Sequence, residues 1–92
     1  MYLDGFKISN PHPKITLPEL SVGSILYLER DLTDKFNVYK IDLKYENSIV
    51  GSLPINYSKA LAIEIDLNNA NFIAEVKYIQ KDRMCIFFKK IN

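Results

Sequence analysis

The stretch LYLERDLTDKFNVYKIDLKYENSIVGSLP, residues 26–54, decides how this chain is read. It opens on an apolar-rich strand that ends in Glu29-Arg30-Asp31 and runs into a polar turn carrying Asp34, Lys35, Phe36 and Asn37. A second alternating strand, Val38 to Tyr45, follows, with Ile41 and Leu43 apolar on one register. Glu46-Asn47-Ser48 then makes a hairpin turn into Ile49-Val50-Gly51, and the phrase closes on Ser52-Leu53-Pro54. Period-two alternation bounded by turn residues is the pattern of half-buried strands. A turn that carries an aromatic, an amide and acids between two rigid strands is where a small β domain places a binding site.

The flanks read as scaffold. Upstream, Tyr2 to Ile8 forms a strand with Leu3, Phe6 and Ile8 apolar, and Gly5 marks a bulge. Asn10-Pro11-His12-Pro13 breaks it, because each proline fixes φ and removes a donor. Leu17-Pro18-Glu19-Leu20, followed by Gly23, suggests one helical or 3₁₀ turn before the strand Ile25 to Arg30. Downstream, Phe72 to Ile79, a turn at Lys81-Asp82-Arg83, and Met84 to Lys90 make a second hairpin. Lys89-Lys90 reads as its solvated end. Between the hairpins, Tyr57 to Leu67 fits two patterns. Leu61, Ile63, Ile65 and Leu67 alternate as in a strand. Ser58 as a cap, the run Lys59-Ala60-Leu61-Ala62 and a stop at Asn68-Asn69 favour a helix over about 57–67. The expected fold is mainly β: a five- to six-stranded barrel of OB-like or SH3-like form, with one helix before the C-terminal hairpin. Such a barrel hides its sheet edges by curling.

The totals set limits. Ninety-two residues, 48% apolar and 25% charged, with three Gly and four Pro, describe one ordinary globular domain over residues 1–92. A chain this short buries roughly 60–65% of its unfolded surface, enough for one modest core and too little for a deep cavity. Twelve basic and eleven acidic side chains leave a net charge of +1. That excludes a large phosphate-tracking interface with duplex nucleic acid, but not a pocket for one or two nucleotides. Cys85, in the run Met84-Cys85-Ile86-Phe87-Phe88, reads as a buried, inert thiol. No apolar run reaches the ~18–20 residues of a membrane span. The start lacks the basic and long apolar regions of a signal peptide, so cytoplasmic residence is the expectation and Asn56-Tyr57-Ser58 is a chance glycosylation match.

Most chemistries lack their parts. His12 is the single histidine, and Cys85 is far from it in sequence, so no metal site and no cofactor is expected. Three separated glycines cannot build a phosphate loop. His12 is also the one candidate base for a nucleophile, with no local signature around it. Asp31 and Asp34 could act as an acid–base pair, although such a pair more often supports turn geometry. The chain therefore reads as a non-enzyme.

The order of phrases resembles the HIRAN family from Tyr2 to Lys90. The resemblance is carried by Gly5-Phe6-Lys7-Ile8 and by Leu17, Leu20, Gly23 and Leu26. Arg30-Asp31, the segment Asp34 to Leu43 and Val50-Gly51-Ser52-Leu53-Pro54 complete it, followed by the helix. It implies an OB-like barrel that, in its best-understood member, grips the 3′ end of single-stranded DNA in a repair or processing context. It also implies a protein partner such as a helicase or nuclease. In that mode two aromatics stack on terminal bases, an acid bonds the terminal hydroxyl and basic groups hold phosphate.

Several positions here depart from the family. Lys7 replaces an Arg and loses its fork. Ile8 stands where an aromatic would stack. Phe36 keeps the ring of a Tyr without the hydroxyl, Asn37 replaces an Asp, and Ser52 replaces a His. The candidate nucleic-acid contacts are then Lys7, Asp34, Lys35, Phe36, Asn37, Lys40 and Ser52. Phe36 would stack, Asn37 would meet the sugar terminus, and the lysines would lie near phosphates. Other roles compete: Phe36 plugging the barrel, Asn37 as a left-handed turn residue, and Arg30 bracing the loop through Asp31 or Asp34. The alternative function is a protein-interaction barrel that has lost the DNA-end pocket.

Overall fold

The computed structural model describes residues 1–9 and 19–91, and these form six antiparallel strands and one helix. The strands are β1 (Tyr2–Lys7), β2 (Ile25–Arg30), β3 (Ile41–Tyr45), β4 (Ser48–Ser52), β5 (Phe72–Gln80) and β6 (Arg83–Lys90). The helix α1 (Ile55–Asn68) lies between β4 and β5. The sheet order is β1-β6-β5-β2-β3-β4, so the two hairpins are sewn together through the β2–β5 pair. The sheet curls until its ends meet: the Ser9 N–H, just past β1, donates to Val50 O of β4 at 2.8 Å. This contact closes the half-barrel and covers two edges that would otherwise be open for pairing.

Alternation along the strands sends one set of side chains inward. Leu26, Ile41, Leu43, Val50, Val76, Met84 and Ile86 are fully buried, and α1 adds Leu61 and Ala62 to the same core. Cys85 is a buried free thiol, as expected from its apolar run. The bulge read at Gly5 is present, since the β1–β6 register shifts between Leu3 and Phe6 and Gly5 has φ of 74°. Gly51 answers a second need. It pairs with Leu43 next to the β3–β4 register shift, and a Cβ there would lie 2.6 Å from Cζ of Phe6. Only a residue without a side chain lets β4 approach the Phe6 ring so closely.

Several boundaries move. The strand read from Val38 begins at Ile41, because the Val38 carbonyl and the Tyr39 N–H are held by the side chains of Arg30 and Asn37, and the Lys40 N–H turns back to the Asn37 carbonyl at 3.2 Å. The helix reading holds and lengthens to Ile55–Asn68, with Asn69 in the left-handed conformation (φ 54°) as its stop. Ser58 is not the cap. Pro54 occupies that position without a side-chain bond, and Ser58 is buried one turn inside the helix. The proline break at Asn10 to Pro13 and the start of the turn at Leu17-Pro18 lie outside the described residues.

Candidate nucleic-acid interface

The loop from Asp31 to Lys40 joins β2 to β3, and its own acids shape it. Asp31 Oδ1 accepts the Thr33 N–H at 2.9 Å and its hydroxyl at 2.6 Å. Asp34 Oδ1 accepts the N–H groups of Phe36 (2.8 Å) and Asn37 (3.0 Å). Asn37 Oδ1 in turn accepts the Tyr39 N–H at 3.1 Å. These are Asx-type bonds, in which a short polar side chain stands in for a backbone partner and sets the turn. The two acids therefore serve turn geometry, the more frequent of the two roles considered for them.

Lys40 crosses the loop, with Nζ 3.3 Å from Asp31 and 3.7 Å from Asp34. The carboxyl of Asp31 is lowered to about 2, first by the Thr33 hydroxyl and then by the Thr33 N–H, with Lys40 adding less. Asp34 is lowered chiefly by the Phe36 and Asn37 N–H groups, and Lys40 is raised by its bond to Asp31. Both acids stay ionised at neutral pH, and Lys40 acts as a crosslink within the loop.

Arg30 anchors this unit to the body of the protein. Its side chain donates to the carbonyls of Lys40 (2.7 Å) and Val38 (2.8 Å), and Nη2 reaches Asp66 of α1 at 3.1 Å. The bracing role read for Arg30 is correct, but its partner is Asp66 and neither of the loop acids. Nearby, Nζ of Lys59 on α1 lies 5.6 Å from the Tyr39 ring centroid. Sequence reasoning missed both helix contacts, because partners this far apart in the chain, 36 positions for Arg30 and Asp66, leave no local pattern.

Phe36 sits on this braced turn with its side chain fully exposed. It does not plug the barrel. Asn37 does not adopt a left-handed backbone, since it is absent from the positive-φ residues. Lys35, the residue before Phe36, is exposed. Ser52 donates to the buried carboxylate of Asp42 at 2.6 Å, near the foot of the loop. Lys7 is exposed, and its carbonyl lies 3.2 Å from where a Gly51 Cβ would stand, one residue from Ser52. The structure thus gathers Asp34, Lys35, Phe36, Asn37 and Lys40 in one loop. Ser52 lies beside β3, and Lys7 lies beyond Ser52 on the adjoining edge.

No protein-family model matches the sequence, and no curated protein matches it. The structure is similar to the crystal structure of the HIRAN domain of human HLTF, with a TM-score of 0.75 at 18% sequence identity. The likeness covers 97% of this chain and 74% of that one. The fold is HIRAN-like. The resemblance read from the order of phrases therefore holds at the level of the backbone. At that identity the HIRAN likeness is one of fold, and the candidate contacts rest on the loop geometry described above.

Proposed function

We propose that this chain is a single, non-enzymatic module that binds a short segment of single-stranded DNA at the Asp31–Lys40 loop. The observation that carries this reading is Phe36: a whole phenyl ring in solvent, on a turn whose backbone is fixed beneath it. An exposed ring on a pre-ordered turn offers a base a stacking surface with little ordering cost, and such stacking contributes ~1–3 kcal/mol per base. Lys35 and Lys7 supply positive charge for phosphate. Lys40, already paired with two acids, sets the shape of the loop. The Asn37 carbonyl oxygen is engaged by Tyr39, so the amide of Asn37 serves a sugar terminus better as a donor than as an acceptor. A free 3′ end is the segment this arrangement suits, which fits a role in DNA repair or processing.

A second reading has an observation in its favour. Leu32, Val38 and Leu67 are also exposed around the loop and the neighbouring helix end, as a protein-interaction surface would require. One titration separates the two readings. Labelled oligonucleotides with free or phosphate-blocked 3′ ends are titrated against the native protein and Phe36→Ala. The DNA reading expects saturable binding that falls about tenfold in the variant and weakens when the end is blocked. Equal affinity for native and variant, with the fold intact by circular dichroism, removes the loop as the DNA site and leaves the protein-interaction reading.

A further inference from the structure

The outer face of the sheet carries a second arrangement of rings and cations. Strand register sets Tyr2, Phe87, Glu75 and Ile25 side by side across β1, β6, β5 and β2. In the next outward row, Lys89, Ile73, Tyr27 and Lys44 line up across β6, β5, β2 and β3. The row between them, Phe88, Ala74 and Leu26, is buried, so both outer rows point away from the core. Tyr2 and Tyr27 are 60% and 59% exposed. The Tyr2 ring packs on Phe87 at a centroid distance of 4.6 Å, and Lys77 Nζ lies 5.8 Å from the Phe87 centroid.

Charge on this face is not uniform: beside Tyr27, Lys44 is paired with Glu29 at 2.8 Å and Glu46 lines the same hollow, whereas beside Phe87 the charge leans positive. Lys77 and Lys89 share one carboxylate, Glu75, at 2.9 and 2.8 Å, so the trio keeps one positive charge. Further along, Lys7 and Arg83 stand directly opposite each other across β1 and β6. Neither makes an ion pair among the described residues. Like charges directly opposite on a sheet repel, and an anion between them relieves the repulsion.

We propose that this outer face is a stacking platform for single-stranded DNA. Tyr27 and the Tyr2–Phe87 pair are its ring surfaces, and Lys89, Lys7 and Arg83 lie beside the phosphates. Strand spacing and rise put the backbones of Tyr27 and Phe87 roughly 12 Å apart, a span of a few nucleotides. Flat rings need bases with a free face, which single strands offer and duplexes do not. The near-neutral net charge also disfavours a duplex, whose affinity comes mainly from phosphate contacts. The platform uses none of the loop residues and shares only Lys7 with the proposed loop site, so it stands or falls separately from Phe36.

Fluorescence anisotropy with oligothymidylates of about 4 and about 16 nucleotides tests it. The double variant Tyr2→Ala/Tyr27→Ala is compared with Tyr2→Phe/Tyr27→Phe, which keeps the rings, and with Phe36→Ala. Both tyrosines are exposed, so melting curves should show the native fold in each. The expected result is a loss of about tenfold or more on the longer oligonucleotide in the alanine pair, restored in the phenylalanine pair. Phe36→Ala should weaken the shorter one. If Phe36→Ala changes nothing while the alanine pair still weakens the longer oligonucleotide, the loop reading fails and the platform stands. Unchanged affinity for the longer oligonucleotide in the alanine pair overturns the platform. So does equally tight binding of inorganic polyphosphate, which has no bases to stack.

Discussion

The Asp34 carboxylate holds the N–H groups of Phe36 and Asn37, so one side chain fixes the backbone directly beneath the exposed ring. Asp34→Ala should therefore speed hydrogen exchange at those two amides. It should also weaken oligonucleotide binding several-fold without removing any contact to DNA, because the ring must then be ordered on binding. Phe36→Ala, with no packing to lose, should leave unfolding within about 0.5 kcal/mol of the native value. Gly51 makes the opposite case. A methyl group there would meet the Phe6 ring at 2.6 Å, with φ at 153°. Gly51→Ala should lower the unfolding free energy in urea by about 2–3 kcal/mol through overpacking and backbone strain together. Gly5 separates the two causes: its φ is 74° but nothing lies within 4 Å. Gly5→Ala should thus show strain alone, about 1–2 kcal/mol. Equal losses at the two positions would mean that the Phe6 contact does not limit Gly51.

At the level of elements, Arg30 is the joint between loop, strand and helix, and its geometry is that of a planar fork. Its side chain is only 11% exposed and reaches two carbonyls and a carboxylate at once. Arg30→Lys keeps the charge but cannot span these three partners. It should lower stability by about 1–2 kcal/mol and raise hydrogen exchange across Val38 to Lys40. Exchange there equal to the native rate would place the loop's rigidity elsewhere. This joint also shows why the sequence was only partly legible. The hairpins could be read because alternation and turn residues act between near neighbours. The start of β3 could not, because Val38-Tyr39-Lys40 alternates like a strand while Arg30 and Asn37 occupy its backbone groups. The helix was ambiguous for a physical reason: Leu61 faces the core while Ile63 and Leu67 are exposed, so apolar residues on two faces mimic a period of two. The loop residues of the candidate site could be named in advance. Whether Phe36 faced in or out could not, because that depends on Asp34 and on a helix residue far along the chain.

Across the whole molecule, the depressed carboxylates lie in two places and are held by different partners, and this sets the acid limb of stability. Asp31 is lowered from the ordinary 3.8 to about 2, first by the Thr33 hydroxyl. Glu75 is lowered from 4.5 to about 2, first by Lys89 and then by Lys77. Asp34 shifts the same way through the Phe36 and Asn37 amides. A carboxyl whose pKa falls on folding stabilises the native state above its unfolded value, and that contribution is lost as pH drops through the folded value. Lys40, Lys77 and Tyr78 shift upward, so their contributions persist below their unfolded values and fade only at alkaline pH. The melting temperature should therefore be nearly flat from roughly pH 5 to 9 and fall steadily between about pH 4 and 2. Salt divides the two sites, because ion pairs at the surface are screened while bonds to neutral donors are not. Glu75 depends on lysines, so Glu75→Gln should shrink the acid limb and remove most of its sensitivity to sodium chloride. Asp31 and Asp34 depend mainly on neutral donors, so the limb that remains in Glu75→Gln should be nearly independent of salt. A melting temperature that stays constant down to pH 2 in the native protein would show that neither network is formed in solution.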